Sequence, residues 1–314
     1  MNSRILISVL TFLLSGCDSA PPLAPAPTAS IKLPPAHADA MVLIPAGEFI
    51  MGSEKLDTEN KAREFGYSQP WYVDEHPQRK LNLPAYFIDQ FEVNNAAFAK
   101  FMLSTGRGNA KLLSEQIPKQ PPAWPNQPVA NIVWQYAYDY CAWVGKRLPS
   151  EAEWEKAARG TDGRDYPWGN AWDAKRANAG GGNGVLPVGS FANGVSPYGV
   201  HDMAGNVSEW VQDWYQPYPG ADFKSQWSGE THKVVRGGGW GGIGHYAVPY
   251  FYRTSFRDYE QPERAFNDIG FRCAKDTEHL FGRGGAQGTQ NGTAEFKNDI
   301  MPNNYRHIRI GAFV

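Results

Sequence analysis

Apolar and polar positions along this chain fall into short blocks separated by turn residues, and few blocks are longer than a dozen residues. Met41 to Ser53 carries two apolar runs broken at Pro45-Ala-Gly47, which predicts a strand, a turn and a strand. Residues 54–75 are polar and predict an exposed loop, and Leu81 to Val93 predicts a second pair of strands. Asn94 or Asn95 can cap a helix that carries Phe98, Phe101 and Met102 on one face. After a proline-rich loop (Pro118 to Pro128), Trp134, Ala137, Cys141 and Val144 recur at three- and four-residue spacing, which predicts a helix over Val133 to Val144. Ser150 and Glu153 have the spacing of a capping box for the next helix, and Gly160 stops it. From there to residue 200 Gly and Asn dominate, so ordered irregular structure is expected. Beyond Asp276 the composition turns Gly-rich, and Tyr305 to Val314 partly alternates; a docked strand and a partner segment fit that tail equally well.

The first residues have a different character. Arg4 precedes an apolar run from Ile5 to Leu14, too short to span a bilayer, and the run ends in Leu14-Ser15-Gly16-Cys17. This resembles a bacterial lipobox, with 1–17 as signal peptide and Cys17 as the lipidated residue; the alternative is an ordinary signal peptide with an incidental cysteine. Lipid on Cys17 implies a membrane anchor on the periplasmic side, and Asp18 leans the expectation toward the inner membrane. Residues 18–38 are rich in Pro and Ala and read as an extended spacer. Residues 39–276 then form the globular domain, and 277–314 the tail.

Thirty Lys plus Arg stand against 32 Asp plus Glu, a net charge of −2 that argues against nucleic acid as partner. The chain has 33 glycines, 11 tryptophans and 15 tyrosines, which suits long loops packed by rings. With Cys17 taken by lipid, Cys141 and Cys273 remain, and an even pair in an oxidising compartment suggests a disulfide. No Ser/His/Asp order, nucleotide-binding glycine loop or zinc spacing occurs, and the glycine clusters at 180–184 and 237–244 do not open helices.

Val234-Val-Arg236-Gly-Gly-Gly-Trp240, closing on Gly270-Phe-Arg-Cys273, resembles the signature of the formylglycine-generating enzyme family, the sulfatase-modifying factors. Met41–Ser53, Cys141–Gly160, Tyr166–Asn170, Pro187–Phe191 and Tyr198–Trp210 follow the same family in the same order, so the likeness covers roughly 41–276. It implies an α+β fold, loop-rich and distantly like C-type lectins, and it agrees with a Cys141–Cys273 disulfide. In that family two cysteines just after a Gly-Gly-Ser turn bind copper and oxidise a substrate cysteine. Here Gly242 holds the first position, no cysteine lies between Trp240 and Cys273 to serve as the second, the serine is Gly239, and a tryptophan of the family is Ser208. Copper chemistry of that kind is therefore not expected. The seven histidines lack the His-x₃-His-x-Glu spacing of the family's ergothioneine branch.

The resemblance also implies a structural calcium ion held by the carboxylates of Asp202 and Glu209 and the carbonyls of Gly205 and Val207, with an acidic turn capped by its own backbone as the alternative. It makes the stretch from Trp240 a ligand groove, with Trp240, Gly242, His245, Tyr246, Tyr250 and Tyr252 as candidate lining. Packing of those rings into the loop core is the competing reading. Arg236 and Arg272 read as buried struts. Cysteine-free relatives exist, among them a periplasmic protein that matures a siderophore. The function expected is an accessory or binding module for a periplasmic protein or peptide. A cysteine-independent oxidase tailoring a secreted peptide and a lectin-like receptor surface are the alternatives.

Overall fold

Strand β1 (Met41–Ile44) and strand β2 (Gly47–Met51) form where the apolar runs place them, yet they do not pair with each other. Pro45 offers no amide to a ladder, and Gly47 takes φ +134°, so the chain leaves one sheet and enters another. β1 pairs antiparallel with β4 (Tyr86–Asp89), which pairs in turn with β9 (Ala274–Asp276). β2 pairs with β3 (Arg79–Leu83) in a two-stranded ribbon. The largest sheet has the order β7-β6-β5-β8, built from β5 (Ser208–Trp214), β6 (Lys233–Arg236), β7 (Asp258–Glu260) and β8 (Ile269–Gly270), with β5 and β8 parallel. This architecture comes from a computed structural model that describes residues 40–107, 120–180, 184–241 and 248–277, all within one structural unit. Cys17, Gly242, His245, Tyr246 and nearly all of the tail lie outside the described residues.

Helix α1 (Lys61–Glu64) is a single turn inside the segment expected to be an exposed loop. That segment is in part core: Ala62, Trp71 and Glu75 are buried. Asp57 accepts the amides of Lys61 and Ala62 at 2.7 and 2.9 Å, and Trp71 stacks on Tyr250 with centroids 4.4 Å apart, so local polar bonding and one large ring fold the loop inward. Helix α2 (Asn95–Thr105) starts at Asn94, whose side chain accepts from Ala97 N–H, and stops at Gly106 in the left-handed region. Helix α3 (Trp134–Trp143) buries Ala137, Tyr140 and Cys141. Helix α4 (Glu151–Arg159) opens with the full capping box of Ser150 and Glu153 and is followed by Gly160.

Phe98, Phe101, Tyr140, Trp210 and Phe271 surround the Cys141–Cys273 disulfide in the main core cluster. A second cluster around Trp154, Met203 and Val234 joins α4 to the large sheet and to β1 and β4. These two clusters fix the end of β6, and with it the glycine turn that follows. Among the described residues no helix is long and apolar enough to cross a membrane.

Candidate functional site

β6 runs directly into Gly237-Gly238-Gly239, and buried ion pairs hold its end. Arg236 donates from Nη2 to Glu155 at 2.7 Å and to the Thr254 carbonyl at 2.6 Å, and from Nη1 to Glu151 at 3.1 Å. Arg257 grips Glu151 from the other side, Nε to Oε1 at 2.6 Å and Nη2 to Oε2 at 3.0 Å. Burial works to raise the pKa of Glu151, but Arg257 and then Arg236 outweigh it and hold the carboxyl below its usual range. Arg253 binds buried Glu75 at 2.9 Å, and Arg159 binds Glu155 at 2.6 Å. Arg236 and Arg272 are thus the struts the sequence suggested, each 0 % exposed.

The glycine turn is tight. At Gly238, with φ +72°, a Cβ would lie 2.7 Å from the Phe251 carbonyl oxygen, so only glycine fits. Gly239 occupies the place of the expected serine, and a Cβ there would meet Asp268, 2.8 Å from its Cβ and 3.0 Å from Oδ2. The same Asp268 accepts the Ser208 amide on its carbonyl at 2.7 Å. Two departures of this sequence, Gly239 and Ser208, therefore converge on one residue that sequence reasoning did not single out. Tyr252 donates its hydroxyl to the Gly239 carbonyl at 3.3 Å, and burial, then Asp268, pushes its phenol up to about 12.

The candidate groove residues that are described do not share one surface. Trp240 is part-buried, its amide on Asn206 O and its indole N–H on Asn267 O. Tyr252 is fully buried in a cluster with Tyr166 and Ala204, stacked on Trp172 at 5.1 Å. Tyr250 belongs to a different cluster, with Trp71, Phe251 and Phe256. The reason is the 3₁₀ turn Pro249–Tyr252, which rotates successive side chains by about 120° and so sends Tyr250 and Tyr252 apart. Tyr250 borders a cavity of about 420 Å³ that also meets Lys55, Tyr72, Asp165 and Arg253.

The acidic stretch ahead of β5 is buried throughout from Asp202 to Val211. Asp202 lies at φ +58° and Asn206 at φ +66°, which turn the backbone around Glu92. Glu92 accepts from Asn206 Nδ2 at 2.9 Å and from the Val207 amide at 3.2 Å, and Asn206 Oδ1 accepts from Asn178 and from the Leu186 amide. Asp202 accepts from the Gly189 amide at 2.6 Å and is a hydrogen-bonding neighbour of Glu92. Burial first, then the charges of Asp202 and Glu209, drives the Glu92 carboxyl well above its ordinary range. Burial likewise raises Asp202. Two adjacent buried carboxylates must share a proton or a cation.

Glu209 faces elsewhere. Both its oxygens accept from Arg272 at 2.7 Å, and Oε2 also takes the Trp154 indole N–H at 2.8 Å. A hard cation wants six to eight oxygens. Asp202, Glu92 and the carbonyls of Gly205 and Val207 fit that chemistry, whereas Glu209 as placed is spent on Arg272. Among the described residues no three His, Cys, Asp or Glu side chains converge as a metal-binding group, so calcium here would draw heavily on main-chain oxygens. Glu92 escaped the sequence reading; the available signal was an acid between Phe91 and Val93, directly ahead of a helix cap.

Comparison with known proteins agrees with this architecture. A profile described as the sulfatase-modifying factor enzyme 1-like domain matches residues 28–277. The formylglycine-generating enzyme of Mus musculus is 32% identical over 295 residues, covering 75% of this chain and 75% of that protein. The inactive C-alpha-formylglycine-generating enzyme 2 of Mus musculus is 30% identical over 296 residues, covering 78% of this chain and 88% of that protein. The solved structure of PvdO from Pseudomonas aeruginosa superposes with a TM-score of 0.57 at 27% identity, covering 75% of this chain and 94% of that one. With the glycine turn, the buried arginine struts and the disulfide in place beneath that match, the chain belongs to the formylglycine-generating enzyme, or sulfatase-modifying factor, family.

Proposed function

We propose that this chain is an exported lipoprotein whose domain serves as an accessory or binding module for a periplasmic protein or peptide, without thiol and copper chemistry. One observation carries the reading. The chain has three cysteines; Cys141 and Cys273 are bonded to each other, and Cys17 is the residue proposed to carry lipid. No thiolate pair is left to hold Cu(I), a soft ion that needs one. The described inactivity of the second mouse relative supports the same view, that this scaffold persists without the family's chemistry.

The test uses the full chain purified without chelator, analysed for metals and then given cysteine-containing peptides, Cu(I) and oxygen. The reading expects no stoichiometric copper or iron and no peptide-dependent oxygen uptake; either signal overturns it. For the anchor, Cys17→Ala is expected to move the protein from the membrane fraction to the soluble periplasmic fraction. A variant that still sediments with membranes rules out lipid on Cys17 as the anchor.

A second reading, a cysteine-independent oxidase acting on a secreted peptide, draws on Asp268, whose carboxylate abuts the turn where the serine is missing. In either case calcium is proposed as a structural ion beside Asp202 and Glu92, stabilising the stretch that leads into β5.

A further inference from the structure

Away from the glycine turn, a small cavity of about 210 Å³ opens between the loop at 67–74, the end of β5 and β7. Aromatic side chains line it, chiefly Tyr67, Trp71, Tyr215, Trp227 and Tyr259. Tyr215 and Tyr259 lie 4.3 Å apart between centroids, and Trp227 lies 6.5 Å from Tyr259 at a tilt of 31°. Two carboxylates, Asp74 and Asp258, also line it. Among the described residues its one basic lining residue is Arg257, which lies 4.9 Å over the Tyr215 ring and whose guanidinium is committed to Glu151, to the Asp74 carbonyl at 2.8 Å and to the Gln216 carbonyl at 2.9 Å.

Asp258 is the unusual member. Its Oδ1 accepts the amide of Tyr259 at 2.9 Å, and among the described residues no lysine, arginine or histidine forms an ion pair with it. Burial, and after it the acids Glu260, Asp268 and Asp74, pushes its carboxyl up to about 7. An acid held among ring faces without a cation is costly, and a soft organic cation is the ligand that would relieve it. The cavity is smaller than the roughly 300–1,000 Å³ of drug-sized sites. Aromatic rings are poor ligands for a hard metal ion, whereas a methylated ammonium packs against them with no N–H donor left to satisfy.

We propose that this cavity binds a small quaternary ammonium group of the choline type, with Trp227 and Tyr259 supplying ring faces and Asp258 the counter-charge. The titratable groups packed around Asp258 are Asp74 on the 73–75 turn, Arg257 beside it in the chain, Tyr215 just past β5, Tyr259 and Glu260 on β7, and Asp268. His232 packs edge-on to Tyr259 at 5.6 Å, and burial lowers its pKa. Burial raises the carboxyls of Asp74 and Glu260 as well, and that of Asp258 to about 7, so a bound cation displaces the Asp258 proton and binding strengthens as pH rises through 7.

Choline chloride titrated into the full chain, followed by calorimetry and tryptophan fluorescence at pH 8, is expected to give a saturable single site. Trp227→Ala, at a side chain 40% exposed and so dispensable for folding, is expected to weaken it at least tenfold. Asp258→Asn is expected to weaken it several-fold and to abolish the pH dependence, which in the unaltered chain is a several-fold loss from pH 8 to 6. The neutral isostere 3,3-dimethylbutanol is expected to bind at least tenfold more weakly than choline. Absence of saturable choline binding, equal binding of the neutral isostere, or unchanged affinity in Trp227→Ala each overturns the proposal. Phosphatidylcholine vesicles form a second arm: displacement of choline by vesicles assigns a lipid headgroup as the source, and choline binding that vesicles leave untouched assigns a free small molecule.

Discussion

Replacing both core cysteines by alanine tests how far this loop-rich domain depends on its cross-link. The bond closes a loop of 132 residues. In the chain-entropy treatment, −2.1 − 1.5R ln n gives about −17 cal/mol/K for that loop, or about 5 kcal/mol at 25 °C. Both cysteines are fully buried among Phe98, Tyr140 and Phe271, so the missing sulfurs add cavity costs of about 1 kcal/mol. For a domain of this size each kcal/mol moves Tm by roughly 2–4 °C, and Cys141→Ala with Cys273→Ala is expected to lower it by roughly 10–25 °C. Guanidinium unfolding followed by tryptophan fluorescence gives the free energy directly. The slope against denaturant should also rise, because an uncrosslinked denatured chain exposes more surface. A loss below about 1 kcal/mol with an unchanged slope would refute the reasoning and show that the core holds this loop closed without the bond.

Calcium added to chelator-treated protein at pH 7.5 is expected to raise Tm by several degrees, and Asp202→Asn to remove the increment; calorimetric scans with and without chelator that superimpose would sink the ion site. Arg272→Met leaves Glu209 buried without its partner and is expected to cost about 3–5 kcal/mol in urea titrations, whereas a change under 1 kcal/mol would mean the pair is replaceable. Gly239→Ser drives a Cβ into Asp268 and is expected to cost about 1–3 kcal/mol, partly recovered by adding Asp268→Gly; equal stability of the single variant and the parent would disprove the steric link. Asp258 binds its proton more tightly folded than unfolded, so its contribution to stability is fullest below the ordinary value of 3.8 and is lost as pH rises toward about 7. Asp258→Asn should remove that decline, and stability curves of the two proteins running parallel from pH 4 to 8 would contradict it.

Local rules were legible where chain neighbours settle the structure. The Asn94 cap, the Ser150–Glu153 box and the stop at Gly160 depend on residues within a few positions of each other, and they formed as expected. The family's block order carried the fold, and the cysteine count carried the disulfide. What resisted reading was partnership across the chain. The polar run at 54–75 contains Glu75, whose burial depends on Arg253 far downstream, and no local pattern announces a partner 178 positions away. Glu92 and Asp268 stayed invisible for the same reason, because each acquires its meaning from a neighbour brought in by the fold. The family resemblance implied that Tyr250 and Tyr252 line one groove, but a tight 3₁₀ turn distributed them to separate clusters.

The seven residues from Gly270 to Asp276 have a consequence for how the chain is made. Arg272 is the partner of Glu209, Cys273 the partner of Cys141, and β9 the strand that covers the open side of β4. All three closures wait for the last described stretch of the domain to be synthesised. Until then Cys141 is a lone thiol, Glu209 a buried charge without its counterpart, and Tyr86–Ile88 an uncovered strand able to recruit another chain. A nascent polypeptide of this design cannot complete its native state early and wait, so truncation before residue 270 yields a product that quality control can distinguish from the finished molecule.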